Sequence, residues 1–296
     1  MDLFSSATFG DLVLSNRVTM APLTRVRASE GDVPGDLPVE HYGQRATLGL
    51  IVTEGTWPTQ EGKAYTGQPG IVTDEQVAGW KRVADEVHAK GGTIVMQVMH
   101  GGRVSHPEVT GTDRIVGPSA VAIDGVVRTP EQARLVPHAL TVDEVQQVVA
   151  DIVTASARRP RGRPRRRRDP QRQRLPAARV PVARVERPHR RLRRQPANRA
   201  RLGIETATAV AAAIGAGRVG IRISPMHNIQ DVVETDLDDV TSYDALVDGL
   251  APSAWRTSAC CTPTRGAARP ASASPLRRQR HPEQRVRHGH RPGRGS

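Results

Sequence analysis

Thr24, Gly55, Gln97, His100 and Arg222 each close or follow a short apolar run, bringing together a hydroxyl, a bare backbone, an amide, an imidazole and a guanidinium. Groups of this kind at the ends of parallel strands are where α/β proteins hold ligands and carry out reactions. Taken singly, each also has a purely structural explanation. An arginine at a strand end is ordinarily solvated or ion-paired, Gln97 inside an apolar strand is equally a satisfied core amide, and His100 and His106 are equally loop histidines. Metal chemistry lacks a ligand set. Cys260 and Cys261 are adjacent, which offers neither metal-ligand spacing nor a disulfide framework, so no metal and a reducing compartment are expected.

The elements that must position these residues read as alternating strands and helices. Residues 17–21 form a short apolar strand, and residues 48–53 (LGLIVT) are continuous enough to be buried on both faces. A helix over 74–90 carries Val77, Trp80, Val83, Ala84 and Val87 at helical spacing and stops at Gly91-Gly92. Residues 93–98 are the next strand. A helix over 140–157 opens with Thr141 and Glu144 at capping-box spacing and is striped by Val145, Val148, Val149 and Ile152. Order resumes at Pro196 with a helix through GIETATAVAAAIGAG, a strand VGIRIS from Val219 and a helix over 243–250. Repeated strand-helix units of this length predict a parallel sheet, either a (β/α)8 barrel or a doubly wound sheet.

The net charge of +13 over 296 residues would suggest a nucleic-acid or anionic-surface partner if it were uniform. It is not uniform. Only three of the 43 basic residues are lysines, and 17 arginines fall in residues 158–195 and 10 in residues 253–296. Outside those two blocks the chain has 16 basic and 27 acidic residues, a balance of −11. The body of the protein is acidic, and the blocks, rich in Arg, Pro and Gly, have neither helical nor strand periodicity.

Six motifs, APLTR (21–25), LIVTEGT (50–56), GQPGI (67–71), QVMHGGRVSHP (97–107), NRARL (198–202) and VGIRISP (219–225), stand in the order and near the spacing of the old yellow enzyme family of FMN-dependent ene-reductases, which the chain resembles over residues 1–157 and 196 to about 252. The resemblance implies a (β/α)8 TIM barrel, a single FMN-binding domain over residues 1–296, with FMN at the C-terminal ends of the strands. It also implies roles. Pro22, Leu23 and Thr24 match the loop that meets the flavin's C4 carbonyl and N5 edge; Gly55 matches a small residue beneath the ring. Gln97 matches the amide on the pyrimidine edge, and Arg222 matches the cation near N1 and the C2 carbonyl. Met99 departs from the family, where many members carry tryptophan, and this predicts a roomier substrate side.

The family's His and Asn, which bind the substrate carbonyl, and its proton-donating Tyr belong to a segment resembling VEIHxANGYL that should lie in residues 158–195. It is absent from the written sequence. Reading each residue as the last base of one codon plus the first two of the next makes residues 167–170 compatible with V-E-I-H and 171–175 with S-A-N-G-Y. The lost His, Asn and Tyr would then stand at Pro170, Gln173 and Leu175, leaving the catalytic residues of the chain unknown. Shifted reading of residues 253–262 and 280–290 likewise yields family-like words, the second with the glycine-rich turn that would cradle the FMN phosphate. The resemblance therefore implies a frameshifted and shortened gene whose two Arg-rich blocks carry no consistent core.

The function so implied is hydride transfer from NADH or NADPH through FMN to an activated alkene such as an enone, enal or maleimide, with activity of the chain as written expected to be slight. The alternative is a nucleic-acid-binding protein using the arginine blocks as an arm. Arginine without lysine, the lack of interleaved aromatics and the acidic remainder argue against it, so a small-molecule alkene is the expected partner and nucleic acid is not. An iron-sulfur relative would need spaced cysteines. The N-terminal residues have no signal-peptide pattern and no apolar run approaches the ~20 residues that span a bilayer, so a soluble, cytoplasmic protein is expected, with no membrane partner.

Overall fold

The computed structural model describes residues 2–123, 135–158, 179–181, 196–223, 228–229, 232–233 and 237–251. Two compact units divide the chain, Met1–Thr262 and Pro263–Ser296, and every described residue belongs to the first. The strands are β1 (Ala7–Phe9), β2 (Leu12–Leu14), β3 (Thr19–Met20), β4 (Leu50–Thr56), β5 (Ile94–Val98), β6 (Val116–Gly117), β7 (His138–Ala139), β8 (Arg179–Pro181), β9 (Gly220–Arg222), β10 (Asn228–Ile229) and β11 (Val232–Val233). The helices are α1 (Asp36–Gly43), α2 (Asp74–Ala89), α3 (Pro107–Thr110), α4 (Val142–Ala157), α5 (Pro196–Ile214) and α6 (Leu237–Leu250).

The main sheet runs β3-β4-β5-β8-β9, all parallel and in chain order. A doubly wound sheet reverses its strand order at a switch point. No reversal occurs among the described strands, which is the order of a barrel wall. Alternation along the strands separates two faces. Ile51, Ile94, Met96, Val98 and Val219 pack with Trp80, Val83 and Val87 of α2, Ile152 of α4 and Val210 of α5. Ile221 and Ile223 pack on α5 and α6 through Ala200, Ala207, Leu246 and Leu250. The opposite face begins with Leu50, Val52 and Val95, covered by Leu14 and by Phe9 and Leu12 of the β1–β2 hairpin. That hairpin lies at the N-terminal ends of the strands, since Asp11 N–H donates to the Gly217 carbonyl just before β9.

Helix boundaries follow local chemistry. Thr73 and Gln76 form a reciprocal capping box on α2, as Thr141 and Glu144 do on α4. At the far end of α2, Gly92 N–H donates to Val87 O and Gly91 N–H to His88 O, with Gly91 at φ +79°, a Schellman stop that a side chain would strain. Helices α5 and α6 start earlier than the apolar periodicity suggests, at Pro196 and Leu237. Pro at a helix start gives up an N–H that has no intrahelical partner in any case.

One expectation needs correction. The second strand does not end at residue 53 but continues through Thr56, so Gly55 lies within β4 rather than after it. A register shift between Val52 and Gly55 absorbs the extra residue. Within the Arg-rich block 158–195, expected to be poorly ordered or built without a consistent core, Arg179–Pro181 form β8 and join β5 to β9. A strand pairs through its backbone, so flanking β5 and β9 accept an extended segment whatever its side chains, and Pro181 at the strand end costs little of the ladder. Pro170, Gln173, Leu175 and residues 252–296 lie outside the described residues.

Candidate functional site

The inner face of the barrel wall changes character along the strands. After the apolar layer of Leu50, Val52 and Val95, the next inward position of β5 is Gln97, two residues beyond Val95. On β9 the outward residues are Val219, Ile221 and Ile223, leaving Gly220 and Arg222 inward. Gly55 pairs with Gln97, Gln97 with Arg179 and Arg179 with Gly220, so these positions form one level across four strands. Arg222 is one inward position farther toward the C-terminal end. Gly55, Gln97 and Arg222 therefore share one face at the ends of the strands.

The polar groups presented there lack partners within the described fold. Gln97 is 5% exposed, and its backbone N–H donates to Thr53 Oγ1 at 2.9 Å, but its side-chain amide makes no hydrogen bond among the described residues. Arg222 Nε is buried and likewise unpaired. A buried polar atom without a partner costs about 1–3 kcal/mol, so such groups mark a place where another molecule supplies the complement. Gly55 admits the Met99 side chain at this surface. A Cβ there would stand 2.7 Å from Met99 Cε, so the thioether lies directly against the glycine.

Pro22, Leu23 and Thr24 leave the end of β3. Pro22 is buried, Thr24 half-buried and Leu23 60% exposed. The loop that carries them is tied to β4 by Glu54, whose Oε2 accepts from Arg25 N–H at 2.8 Å. Tyr42 of α1 donates its hydroxyl to Glu54 Oε1 at 3.4 Å and accepts from Glu54 N–H at 2.8 Å. Burial raises the Glu54 carboxyl above the ordinary carboxylate range, against the lowering effect of the Arg25 and Val26 amides, and raises the Tyr42 phenol, which stays neutral. Neither Glu54 nor Tyr42 was singled out in the sequence. The available signal was a lone acid inside the apolar run LIVTEGT, since a buried carboxylate demands partners.

The GQPGI motif braces the same corner. Gln68 Nε2 donates to the Gly55 carbonyl at 2.9 Å, while its Oε1 accepts from Ala64 and Tyr65 N–H at 2.8 and 3.2 Å. Ala28 N–H donates to the Gly67 carbonyl at 3.0 Å, which ties the β3 loop to the motif. Beyond β5, His100 Nδ1 accepts from Gly102 N–H at 3.0 Å, and burial holds its imidazole below the ordinary value. Ser105 Oγ and His106 Nε2 are buried without hydrogen-bond partners in the same loop. No group of His, Cys, Asp and Glu suited to a metal occurs among the described residues, nor among them is any helix long and apolar enough to cross a membrane.

The flavin-edge residues expected from the sequence thus fit a polar ligand: the Gln97 side-chain amide and an arginine with a buried, unpaired Nε share the inner face with a glycine. Residues 2–161 match the family described as NADH:flavin oxidoreductase / NADH oxidase. The chain is similar to a flavin oxidoreductase of Emericella nidulans, at 35% identity over 79% of this chain and 62% of the relative. It is similar to a Leishmania infantum protein named "Probable flavin mononucleotide-dependent alkene reductase", at 36% identity over 79% of this chain and 66% of the relative. The chain thus spans less than two thirds of the length of these curated relatives. Among solved structures, an old yellow enzyme homologue from Zymomonas mobilis superposes with a TM-score of 0.76 at 28% identity, covering 88% of this chain and 74% of that one.

Proposed function

Because the chain belongs to the NADH:flavin oxidoreductase / NADH oxidase family, with the (β/α)8 barrel of the old yellow enzymes, we propose that its whole protein is an FMN-dependent NAD(P)H oxidoreductase that reduces activated alkenes. The observation that carries this reading is Arg222 Nε, buried without a partner among the described residues, on one face with the Gln97 side chain at the C-terminal ends of the strands. The alkene-reductase name of the Leishmania infantum relative supports the substrate class.

FMN, when bound, would supply a hydride carrier between NADH or NADPH and the β-carbon of an enone, enal or maleimide. Gln97 would give the pyrimidine edge one donor and one acceptor. Arg222 would hold a fixed cation at the N1 and C2 carbonyl side, where negative charge accumulates on reduction, and low surrounding polarity strengthens that attraction. Pro22, Leu23 and Thr24 would meet the C4 and N5 side, and Gly55 would lie beneath the ring with the Met99 thioether packed against it. Substrate polarisation and proton donation need a set of side chains that Pro170, Gln173 and Leu175 do not provide: a proline with no donor in place of the imidazole, an amide on a longer side chain in place of the Asn, and an aliphatic group with no proton to give.

The test is direct. FMN content and NADPH-dependent reduction of 2-cyclohexenone are compared for the written chain and for a gene with both reading frames restored. The restored protein is expected to carry FMN and turn over. The written chain is expected to be slower by about 10²-fold or more, since each lost preorganised donor typically costs 10²–10³ in rate. Equal turnover from both would overturn the frame-based assignment of Pro170, Gln173 and Leu175, and an FMN-free restored protein would overturn the function.

A further inference from the structure

Val26 has φ +51°, in the left-handed region that a β-branched side chain adopts only under constraint. Its own side chain does not supply that constraint, being 39% exposed. The constraint comes from beneath. Arg25 N–H donates to Glu54 Oε2 at 2.8 Å, and the Val26 amide faces the same carboxylate. Two consecutive amides converging on one anion, with the second residue left-handed, is the arrangement of an anion-binding nest. Here the anion is a side chain of the neighbouring strand rather than a ligand.

The rest of the corner keeps both halves of that contact in place. Glu54 is 1% exposed and held on its other side by Tyr42, which exchanges hydrogen bonds with its carboxylate and its N–H. Arg27 Nη1 donates to the Arg25 and Val26 carbonyls at 3.3 and 3.1 Å, closing the loop on itself. Across from it, Gly67 approaches so closely that a Cβ there would stand 3.0 Å from the Val26 carbonyl oxygen. Thr24 immediately precedes the two amides, and Gly55 immediately follows the carboxylate. One contact therefore joins the two places at which the proposed flavin site leaves β3 and β4.

We infer that Glu54 is a positioning residue: its carboxylate organises the 22–27 loop by accepting the Arg25 amide beneath the left-handed turn at Val26, and so sets where Thr24 stands relative to Gly55. The inference rests on the flavin reading for its consequence but not for its geometry. A neutral Glu54→Gln side chain has nearly the same volume and keeps a single carbonyl oxygen, so it weakens the nest without emptying the core. Hydrogen bonds to a charged acceptor are worth enough that losing the charge should speed exchange of the two amides about tenfold or more.

The experiment measures amide hydrogen exchange of a peptide spanning residues 22–28, together with FMN affinity by quenching of flavin fluorescence, in the frame-restored chain and its Glu54→Gln variant. The expected result is faster exchange at Arg25 and Val26, unchanged protection in α2 and β5, and weaker FMN binding. Unchanged exchange at those two amides would overturn the inference, as would faster exchange with undiminished FMN affinity. Loss of protection throughout the barrel would also overturn it, by showing a general structural role. If the unsubstituted restored chain binds no FMN while Glu54→Gln still loosens the two amides, the nest stands and the proposed function fails. Arg25→Pro, on an exposed residue, deletes one of the same donors without touching the core and should weaken FMN binding in parallel; undiminished affinity there counts against the inference.

Discussion

Gln97 and Arg222 are costly residues in the bare fold. Arg222 Nε is buried without a partner, and the Gln97 side chain, on a residue 5% exposed, makes no hydrogen bond among the described residues, so replacing either by an apolar side chain should leave the flavin-free protein as stable or more so. Ligand binding should respond in the opposite sense. Arg222→Leu is expected to weaken FMN binding by ~1.5–3 kcal/mol and Gln97→Leu by ~0.5–1.5 kcal/mol, the usual worth of charged and neutral hydrogen bonds. Thermal melts without FMN and fluorescence titrations with it check the two halves separately. A melting temperature that falls in both variants would mean that these side chains serve the fold and not a ligand.

His100 makes a pH-dependent contribution at the same scale. Burial holds its imidazole below the ordinary value of 6.5, outweighing the opposite pull of Glu61 and Asp151. The unfolded chain therefore takes up the proton first as pH falls. The stability owed to neutral His100 is fully present above pH 6.5 and is lost as pH falls through the window between 6.5 and the depressed folded value. His41 and His88 are depressed by burial as well and add slope of the same sign. His100→Asn, whose side-chain oxygen can still accept Gly102 N–H, should flatten part of the decline in melting temperature on going from neutral to mildly acid pH. An unaltered pH profile would show that His100 titrates normally.

At the scale of elements, α2 matters because its buried face, Val77, Trp80, Val83, Ala84 and Val87, covers the outer side of β4 and β5 behind the site. Its start is held by Thr73, which accepts Gln76 N–H at 3.2 Å, and by Gln76, whose Oε1 accepts Thr73 and Val72 N–H while its Nε2 reaches the Gly31 carbonyl. Thr73→Ala removes one cap acceptor and is expected to cost about 1 kcal/mol in a urea titration. Gln76→Ala should cost more, because the amide ends three contacts and is 1% exposed. The capping box on α4 was legible from Thr141 and Glu144 alone. That on α2 was missed because Gln76 reads as an ordinary surface residue until its second role, bracing the turn at Gly31, is visible.

For the whole molecule, periodicity and punctuation in the sequence were enough to place β4, β5, β9, α2 and α4, because each buries one face against a neighbour and apolar spacing records that burial directly. The six motifs carried the family, the barrel and Pro22, Leu23, Thr24, Gly55, Gln97 and Arg222 as the residues to watch. Three things depended on tertiary contacts. The bulge in β4 that levels Gly55 with Gln97 is a property of two strands in register, and no single strand encodes it. Strand β8 arises in an arginine-rich block because backbone hydrogen bonding to β5 and β9 is indifferent to side-chain type. Glu54 looked like an isolated acid in an apolar run. Only folding brings Tyr42, Arg25 and Val26, distant from it in the chain, around the carboxylate, and a buried charge is tolerable only when such partners converge on it.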